Sequence, residues 1–591
     1  MNKKISLFFI AAMASLVMMC SDDKVSPAPS ITVDPATAAN LPGEMVSTSI
    51  TFAAPNGAKQ LFVYVGGVED NVVELAGVAS PYTFEYTIPA SSLVGSTIVI
   101  SFQVLDNKNF PSAVANFVVS VNDPVNVLTG VLATQTLDAA KPYLLVGQVF
   151  IPNGATLTVP AGTVVKGDKA TKAALIIQPG GKLMAEGTST NPVVFTSAQA
   201  VGERDRGDWG GILMLGNAYV NQAAKPAIEG ITPTQTYGST VAEAATPATN
   251  QNENSGTMTY VRIEYAGIEL TPNNETNSLT MGGVGNGTTL EYIQASFGGD
   301  DNFEWFGGTV NAKHLVSLSA WDDDLDTDFG WGGNVQFALV VRNPFFADQS
   351  GSNAFESDNQ ANGNALAGIC DGTTNTGCTR GVFSNVTVLG PREIQSRAIS
   401  GNYQNAAHLR RRTAISIFNS FFSGYRVGIR VDDQGTLDNL NNAVSKHGYN
   451  VLSVPGTTLI GTATTAADAA FATGLTIAPD PAGNATAIST YWTNNNNAVF
   501  NNITALTPIT DLGLNGAAYW SASTATTYPS NPNFTLLAGV AGGNNLNAGA
   551  NFSDPKVSGV FFSATAYRGA FSTSGDWTDG WSEFQPLNKV Y

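Results

Sequence analysis

The chain has 591 residues, of which 60 are Gly and only 13% are charged, and its formal net charge is -18. This length exceeds what one ordinary hydrophobic core supports, so we expect several domains or an elongated repeat structure. The frequent Gly indicates turns between short strands. Nucleic acid is excluded as a partner, because its binding requires a basic surface. Three Cys residues are too few for a disulfide-dense scaffold.

The N-terminus has the pattern of an export signal. Lys3 and Lys4 precede an apolar run over residues 5–19, which is too short for a typical membrane span. Cys20 follows, and the sequence then becomes polar. This pattern resembles a bacterial lipoprotein signal, which implies a signal peptide over residues 1–19 and acylation of Cys20. Two Met residues stand where small residues are usual, so ordinary signal cleavage near Ala14 is the alternative.

Cys20-Ser21-Asp22-Asp23 is also similar to the export signal of Bacteroidota lipoproteins that reach the outer face of the outer membrane. The resemblance implies a protein attached to the outer membrane by its lipid and facing the cell exterior. Several acyl chains suffice for such an anchor without a transmembrane helix.

A small domain is expected after a tether at residues 20–30. Within residues 31–122, Ile98, Ile100, Phe102 and Val104 alternate with other residues, as in a strand with one buried face. Several such strands, separated by Pro, Asn and Gly, most resemble an immunoglobulin-like β-sandwich. We interpret it as a spacer.

The character of the sequence changes at residue 123. Residues 155–164 recur nineteen residues later as residues 174–183, and residues 257–263 recur thirty-two residues later as residues 289–295. A unit of strand, Gly or Pro corner and strand is typical of stacked coils. The sequence therefore predicts an all-β protein in which residues 123–591 form a right-handed parallel β-helix with a C-terminal extension. A large irregular sandwich is the alternative.

A family resemblance supports this fold. Pro179-Gly-Gly-Lys-Leu-Met-Ala-Glu-Gly-Thr188, Asn191-Pro-Val-Val-Phe-Thr-Ser197 and Trp209-Gly-Gly-Ile-Leu resemble segments of pectin-lyase-like β-helix lipoproteins of Bacteroidota. The resemblance covers residues 130–591. Most of those proteins have no established activity, so it bears on fold and location more than on function.

Two acidic segments, residues 298–308 and 321–328, flank one predicted coil. They predict a calcium site, because Ca²⁺ takes six to eight oxygen ligands in flexible geometry and would neutralise crowded carboxylates. The alternative is a solvated turn in which Asp side chains cap backbone amides. The proposed ligands, with Glu304 close by, are Asp300, Asp301, Asp322, Asp323, Asp324, Asp326 and Asp328.

Aromatic residues crowd the same region. Trp305, Trp321 and Trp331 are candidate ligand contacts, because flat rings beside carboxylates are common in sugar-binding clefts. The alternative is that these rings stack inside the β-helix.

No catalytic set is apparent. The resemblance to pectate lyases implies calcium-binding acids paired with an Arg or Lys base, but an Arg stays protonated in ordinary settings. The carboxylates are too numerous for sequence to select a hydrolase pair. The three His residues show no zinc or triad spacing, and we interpret them as structural.

Cys370 and Cys378 lie in one loop, and an exported chain meets oxidising conditions, so a disulfide is expected between them. Two free thiols are the alternative.

These observations predict a non-enzymatic surface lipoprotein that presents a β-helix to a glycan or a protein. One form of this hypothesis makes it an accessory of an outer-membrane uptake complex. The second hypothesis is a calcium-dependent polysaccharide lyase or glycoside hydrolase. A purely adhesive or structural role is the third.

Overall fold

The structure is a computed structural model of residues 27–93, 95–122, 125–243, 250–271, 274–360, 377–392, 398–425, 427–432, 434–453, 475–477, 491–492, 494–500, 512–515, 520, 528–539 and 545–591. The chain divides into two compact units, Met1–Pro124 and Val125–Tyr591.

The first unit contains two β-sheets with a common core. A three-stranded antiparallel sheet has the order β1-β3-β6, and a five-stranded sheet has the order β2-β8-β7-β4-β5. The rings of Phe84 and Phe102, from different sheets, meet edge to face at 4.9 Å. The strands are β1 (Ser30–Asp34), β2 (Thr37–Asn40), β3 (Met45–Ala53), β4 (Ala58–Val65), β5 (Val68–Glu74), β6 (Tyr82–Thr87), β7 (Thr97–Asp106) and β8 (Ala115–Val121).

The second unit is a parallel β-helix, which confirms the predicted fold. Strands of successive coils pair in parallel register, and the pairings form three ladders that enclose one continuous apolar core. Apolar side chains alternate inward along each strand, which is why short strands suffice to build the core.

The first ladder begins with β10 (Gln135–Thr136), β12 (Thr156–Pro160) and β15 (Lys182–Glu186). It continues with the first halves of five longer strands, which are β18 (Gly256–Glu264), β22 (Thr289–Ser296), β24 (Asn311–Leu318), β26 (Asn334–Val341) and β28 (Val382–Leu389). It ends with β30 (Ser416–Phe418) and β33 (His447–Gly448). The second ladder begins with β9 (Asn126–Val131), the first half of β11 (Tyr143–Ile151), β13 (Val164–Gly167) and β16 (Val193–Ser197). It continues with the second halves of β18, β22, β24, β26 and β28. It ends with β31 (Phe421–Ser423), β34 (Val451–Ser453) and β36 (Ala498–Phe500).

The third ladder carries the site described below. It comprises the second half of β11, β14 (Ala174–Ile177), β17 (Ile212–Leu215), β21 (Leu279–Gly282), β23 (Phe303–Phe306), β25 (Leu325–Asp328), β27 (Phe355–Ser357), β29 (Asn405–Leu409), β32 (Val427–Val431) and β35 (Leu475–Ile477).

The repeat at thirty-two residues is confirmed as a stacking register, since Thr257 pairs with Thr289 and Ile263 with Ala295. The repeat at nineteen residues is not. Strand β12 pairs with β15, so residues 155–164 and 174–183 occupy different faces of the β-helix. The two segments look alike because each contains a strand, a Pro-x-Gly corner and a second strand.

The bend between the first and second ladders is formed by residues with left-handed backbone conformation. Tyr260, Tyr292, His314 and Phe337 have φ between 50° and 62°. Their rings stack from coil to coil, with centroids 4.4, 4.2 and 5.1 Å apart. Positive φ is costly for large side chains, and ring stacking offsets part of that cost.

The C-terminal segment over residues 545–591 runs back along the β-helix. Asp554 pairs with Lys446, Ser563 bonds to Gln336, and the Tyr591 hydroxyl accepts from Arg262. The segment covers apolar side chains on the outer side of the second ladder, so it is an integral part of the core. These side chains include Val316, Leu318, Leu339, Val341, Leu389, Phe421 and Val451.

Remaining elements are the hairpin of β19 (Glu269–Thr271) and β20 (Asn274–Glu275), the helix α1 (Gln434–Asn441) and a 3-10 turn at Pro586–Asn588. Among the described residues, no helix combines the length and the apolarity needed to cross a membrane.

Candidate functional site

An acidic face lies on the third ladder. Strand β23 alternates so that Phe303 and Trp305 are buried while Glu304 points outward, and β25 places Asp326 outward in the same way. Glu304 pairs with Asp326, and Asp326 pairs with Glu356 of β27. Parallel register therefore stacks three carboxylates at the strand spacing of about 4.8 Å.

The corner before the third ladder is built from a row of Asn and Asp side chains. The Asn277 Oδ1 accepts the backbone N–H of Asp301 at 3.2 Å, and the Asp301 Oδ1 accepts that of Asp323 at 2.8 Å. Asp323 bonds to Asn353, and Asn353 to Asn405, in the same way. Each side chain thus satisfies a buried donor of the next coil, which fixes the acidic corner in position.

Five carboxylates converge where this corner meets the ladder, and we call them the acidic cluster: Asp300, Asp301, Glu304, Asp322 and Asp326.

Within the acidic cluster, oxygens of Asp300, Asp301 and Asp322 lie within 4.8 Å of one another. Oxygens of Asp301, Glu304 and Asp326 do so as well, so Asp301 belongs to both groups. The Oδ1 atoms of Asp322 and Asp326 are buried and have no hydrogen-bond partner within the described parts of the chain. Buried acceptors without partners are costly, so the arrangement favours binding of a cation.

Burial and mutual repulsion raise the pKa values of these carboxyls. The pKa of Asp301 and that of Asp326 lie well above the ordinary value, because both groups are buried and face other carboxylates. The pKa of Asp322 is raised to about 7 by burial and by the charges of Glu356 and Asp348. A divalent cation would reverse this effect by stabilising the ionised carboxylates.

The next coils of the same ladder form a natural contrast. The side chain of Glu356 contacts His408 and Arg410, and Asp358 bonds to Arg410 and to Arg411 at 2.7 and 2.5 Å. These carboxylates are neutralised by protein cations. In the described residues no Lys or Arg forms an ion pair with the carboxylates of the acidic cluster.

A cleft of about 280 Å³ opens beside the acidic cluster. Asp300 and Glu304 form part of its wall, and Glu229 and Glu275 add two carboxylates from segments outside the stacked strands. Phe306 and Phe329 supply apolar surface. The cleft therefore combines acceptors and rings, as binding sites for small polar ligands do.

The structure separates the seven predicted metal ligands. Asp300, Asp301, Asp322 and Asp326 come together, whereas Asp324 does not. The Asp324 side chain is fully buried, bonds to Arg342 at 3.1 Å and accepts from Ser317. Asp324 lies at the corner before β25, where the alternation of the strand does not apply, and its contacts with Arg342 and Ser317 hold it in the interior. The prediction that groups it with the other ligands is therefore wrong.

Asp323 and Asp328 also lie outside the two carboxylate groups. One Asp323 oxygen is engaged by the row of Asn and Asp side chains, and the Asp328 Oδ1 accepts the backbone N–H of Phe329 at 2.7 Å. These roles match the capping alternative for Asp in turns.

The aromatic prediction also needs correction. Trp305 and Trp331 are fully buried, with ring centroids 5.2 Å apart, so they fill the core and do not contact ligand. Trp321 is half-buried, its Nε1 donates to Asp348 at 2.6 Å, and the Arg206 guanidinium lies 3.5 Å from its ring centroid. Trp321 remains a candidate contact.

Two other predictions concern residues that the structure describes only in part. Cys378 is buried and disulfide-bonded, but Cys370 lies outside the described residues, so the predicted pair stays a prediction. Cys20 also lies outside the described residues.

Three acidic residues at the site, Glu304, Glu229 and Glu275, were not among the predicted metal ligands. Glu304 has a recognisable signal, since it alternates with Phe303 and Trp305 within a strand. Glu229 and Glu275 have none, because only the path of the chain brings them to the cleft.

The donor set suits a hard cation. It consists of carboxylate oxygens in two overlapping groups, and neither group includes a Cys or a His. Ca²⁺ accepts such ligands in irregular geometry, whereas Mg²⁺ demands a near-ideal octahedron.

Comparison with known proteins identifies the family of the second unit. Residues 130–497 match the family described as the pectate-lyase like beta helix domain. No curated protein matches the chain. A solved structure of fibronectin(III)-like modules of CbhA from Clostridium thermocellum is 17% identical, covers 17% of this chain and has a TM-score of 0.14. The chain spans about half (49%) of that structure, and the TM-score is too low to bear on the fold. The family match covers more than half of the chain, and it agrees with the observed ladders: the chain belongs to the pectate-lyase-like β-helix family.

Proposed function

We propose that the protein is a lipid-anchored surface protein whose β-helix binds calcium at the acidic cluster and, with that ion, a glycan in the adjoining cleft. The observation that carries the proposal is the convergence of Asp300, Asp301, Glu304, Asp322 and Asp326, with which no Lys or Arg of the described segments forms an ion pair. Its contrast with the neutralised carboxylates of Glu356 and Asp358 indicates a site kept open for an external ion.

Calcium links the acidic cluster to a ligand. Protein oxygens from one group would leave coordination positions free, since Ca²⁺ takes six to eight ligands. Hydroxyl or carboxylate oxygens of a sugar are suitable for those positions. The protein alone is strongly acidic, with a formal charge of -18, so an acidic glycan requires the cation as a bridge.

The location rests on the N-terminal sequence. The pattern of Lys3, Lys4, the apolar run and Cys20 supports export and acylation, and the resemblance to Bacteroidota lipoproteins supports the outer face of the outer membrane. An uptake complex in that membrane is the partner we propose.

Isothermal titration calorimetry tests calcium binding. We expect the purified protein to bind Ca²⁺ in preference to Mg²⁺, and Asp326→Asn to weaken binding by about tenfold or more, equivalent to about 1.4 kcal/mol. The matched control is Asp138→Asn, which makes the same change at an exposed carboxylate remote from the site. No calcium binding, or equal loss in both variants, would contradict the proposal.

A glycan array in Ca²⁺ and in EDTA tests the ligand. We expect binding to acidic polysaccharides in Ca²⁺ and its loss in EDTA. An array without calcium-dependent signals would reject the glycan role, while calcium binding could still hold.

The second candidate is a calcium-dependent polysaccharide lyase, which the family membership and the acidic cleft favour. It needs a base near the cleft, but Arg410 is held by Glu356 and Asp358. Incubation with acidic polysaccharides, followed by ultraviolet absorbance of unsaturated products, separates the two candidates. Product formation would replace the binding role by catalysis.

A further inference from the structure

A second site lies on another part of the β-helix, where the C-terminal chain packs against it. A slot of about 140 Å³ separates two walls of aromatic rings, and we call it the aromatic slot. The β-helix supplies Tyr265, Phe297 and Phe346 to the lining of the slot, which we call the first wall. The later chain supplies Trp520, Tyr528 and Phe584, which we call the second wall.

Each wall is internally ordered. Tyr265 and Phe297 stack with centroids 5.6 Å apart and an interplanar angle of 11°, and Phe346 meets Phe297 edge to face at 6.0 Å. On the other wall, Tyr528 lies 5.7 Å from Phe584. Rings held by their neighbours preserve the shape of the slot and lower the entropic cost of binding.

Two arginines border the aromatic slot. The Arg206 guanidinium lies over the Trp321 ring at 3.5 Å from the centroid and forms no ion pair with a described carboxylate. Arg204 is buried, and its Nη1 donates to the carbonyls of Pro586 and Lys589 at 2.8 and 2.9 Å. In a chain of formal charge -18, a half-buried Arg without a carboxylate partner is an attractive position for an anion.

The nearby acceptor is already engaged. Asp205 borders the slot but is exposed, and its Oδ1 accepts the backbone N–H of Arg206 at 2.8 Å. The Tyr265 hydroxyl, by contrast, belongs to a side chain that is only 3% exposed, and it has no hydrogen-bond partner in the described chain. Arg206 and Tyr265 therefore give the lining of the slot two side chains that can donate hydrogen bonds, while most of the remaining lining is aromatic or apolar.

The volume of the aromatic slot favours a small ligand. A closed apolar cavity of about 150 Å³ accommodates one benzene-sized ring, whereas sites for larger molecules usually exceed about 300 Å³. The hydroxyl groups of a sugar would lose their water against the apolar walls without enough partners in return. A flat apolar ring would gain contact on both sides.

We propose that the aromatic slot binds a single-ring aromatic carboxylate, with the ring between the two walls and the carboxylate at Arg206 and the Tyr265 hydroxyl. This site does not depend on the acidic cluster or on calcium.

Binding of benzoate, its uncharged methyl ester and galacturonate to the purified protein, measured in EDTA by calorimetry and ligand-observed NMR, tests the proposal. We expect benzoate to bind about tenfold more tightly than the ester, equivalent to about 1.4 kcal/mol, and galacturonate not to bind. Because EDTA removes calcium, failure of the calcium proposal does not affect this result.

Arg206→Gln should reduce benzoate affinity to that of the ester and leave the ester unchanged. Tyr265→Phe, which retains the stacked ring, should also weaken benzoate more than the ester. Lys141→Gln is the charge-matched control at an exposed position and should change neither affinity. Equal affinities for benzoate and ester, absence of binding, or tighter binding of galacturonate would overturn the proposal, the last in favour of a sugar-acid site.

Discussion

Asp324 and Asp326 are two residues apart and have opposite surroundings. Asp324 lies inside the β-helix against Arg342, whereas Asp326 lies outside among other carboxylates. The pKa of Asp324 is raised to about 6 by burial, an effect that the Arg342 charge limits. Residue type therefore does not determine the role of an acid here. Asp326 belongs to β25 and points outward from it, whereas Asp324 lies at the corner before β25 and is held in the interior by Arg342.

Arg342→Met should lower the free energy of unfolding by about 3–5 kcal/mol, because it leaves a buried carboxylate without its counter-charge. Urea denaturation measures the change. Asp326→Asn is the comparison, and in EDTA it should cost little or stabilise, since it removes repulsion within the acidic cluster. A loss in Arg342→Met below about 1 kcal/mol would show that the buried ion pair is not structural.

His408 should make stability depend on pH. Burial opposes its charged form, but hydrogen bonds to Asp432 and Glu356 raise its pKa above the ordinary value, with Arg410 acting in the opposite direction. Arg430 also bonds to Asp432 in this group. Since the folded-state pKa is the higher one, the stabilisation is complete below the unfolded value of about 6.5 and is lost as pH rises through the folded-state pKa.

The difference in unfolding free energy between the native protein and His408→Gln should accordingly be larger at pH 5.5 than at pH 9. Urea denaturation at the two pH values measures it. A difference that is constant, or larger at pH 9, would contradict the raised pKa.

At the scale of elements, the C-terminal segment is held by side chains that repeat from coil to coil. Gln294 bonds to Glu583, Gln336 to Ser563 and Asn385 to the Tyr567 and Gly569 carbonyls. From Gly569 to Tyr591 the segment runs from later coils to earlier ones, and it closes the outer side of the second ladder. Its apolar residues complete the burial of strands that would otherwise be exposed.

Gln336→Met should loosen this segment. The fully buried Gln336 donates to the Ser563 carbonyl and accepts the Ser563 N–H, both at 2.8 Å, and Met retains its shape without these bonds. The loss of buried hydrogen bonds should cost about 1–3 kcal/mol. Hydrogen exchange should become faster around residue 563, while exchange in the third ladder stays unchanged. Uniform acceleration along the β-helix would instead indicate global destabilisation.

At the scale of the whole molecule, calcium binding should raise the free energy of unfolding of the β-helix unit. Calcium at a hundredfold excess over its dissociation constant should add about 2.7 kcal/mol to the free energy of unfolding. Calorimetric melting in Ca²⁺ and EDTA measures this shift, which Asp326→Asn should reduce or abolish. An unchanged melting temperature in the native protein would contradict binding at the acidic cluster.

Much of the architecture could be predicted from sequence. Alternation in strands and the repeat of residues 257–263 in 289–295 predicted stacked coils, and the register is the predicted one. The similarity of residues 155–164 to 174–183 suggested a stacking register that the structure does not have, because a Pro-x-Gly corner recurs on different faces of the β-helix. The acidic residues of the site were recognised, but the buried roles of Trp305 and Trp331 were not separated from surface roles.

By itself, the sequence determined the fold class and the region in which carboxylates accumulate, since both follow from local patterns of strands, corners and charged residues. Only the tertiary structure decided which carboxylates meet. The path of the chain brings Glu229 and Glu275 to the cleft, and the corner before β25 directs Asp324 to Arg342 and away from the acidic cluster. Likewise, the aromatic slot exists only because the later chain returns across the β-helix and places rings distant in sequence opposite one another.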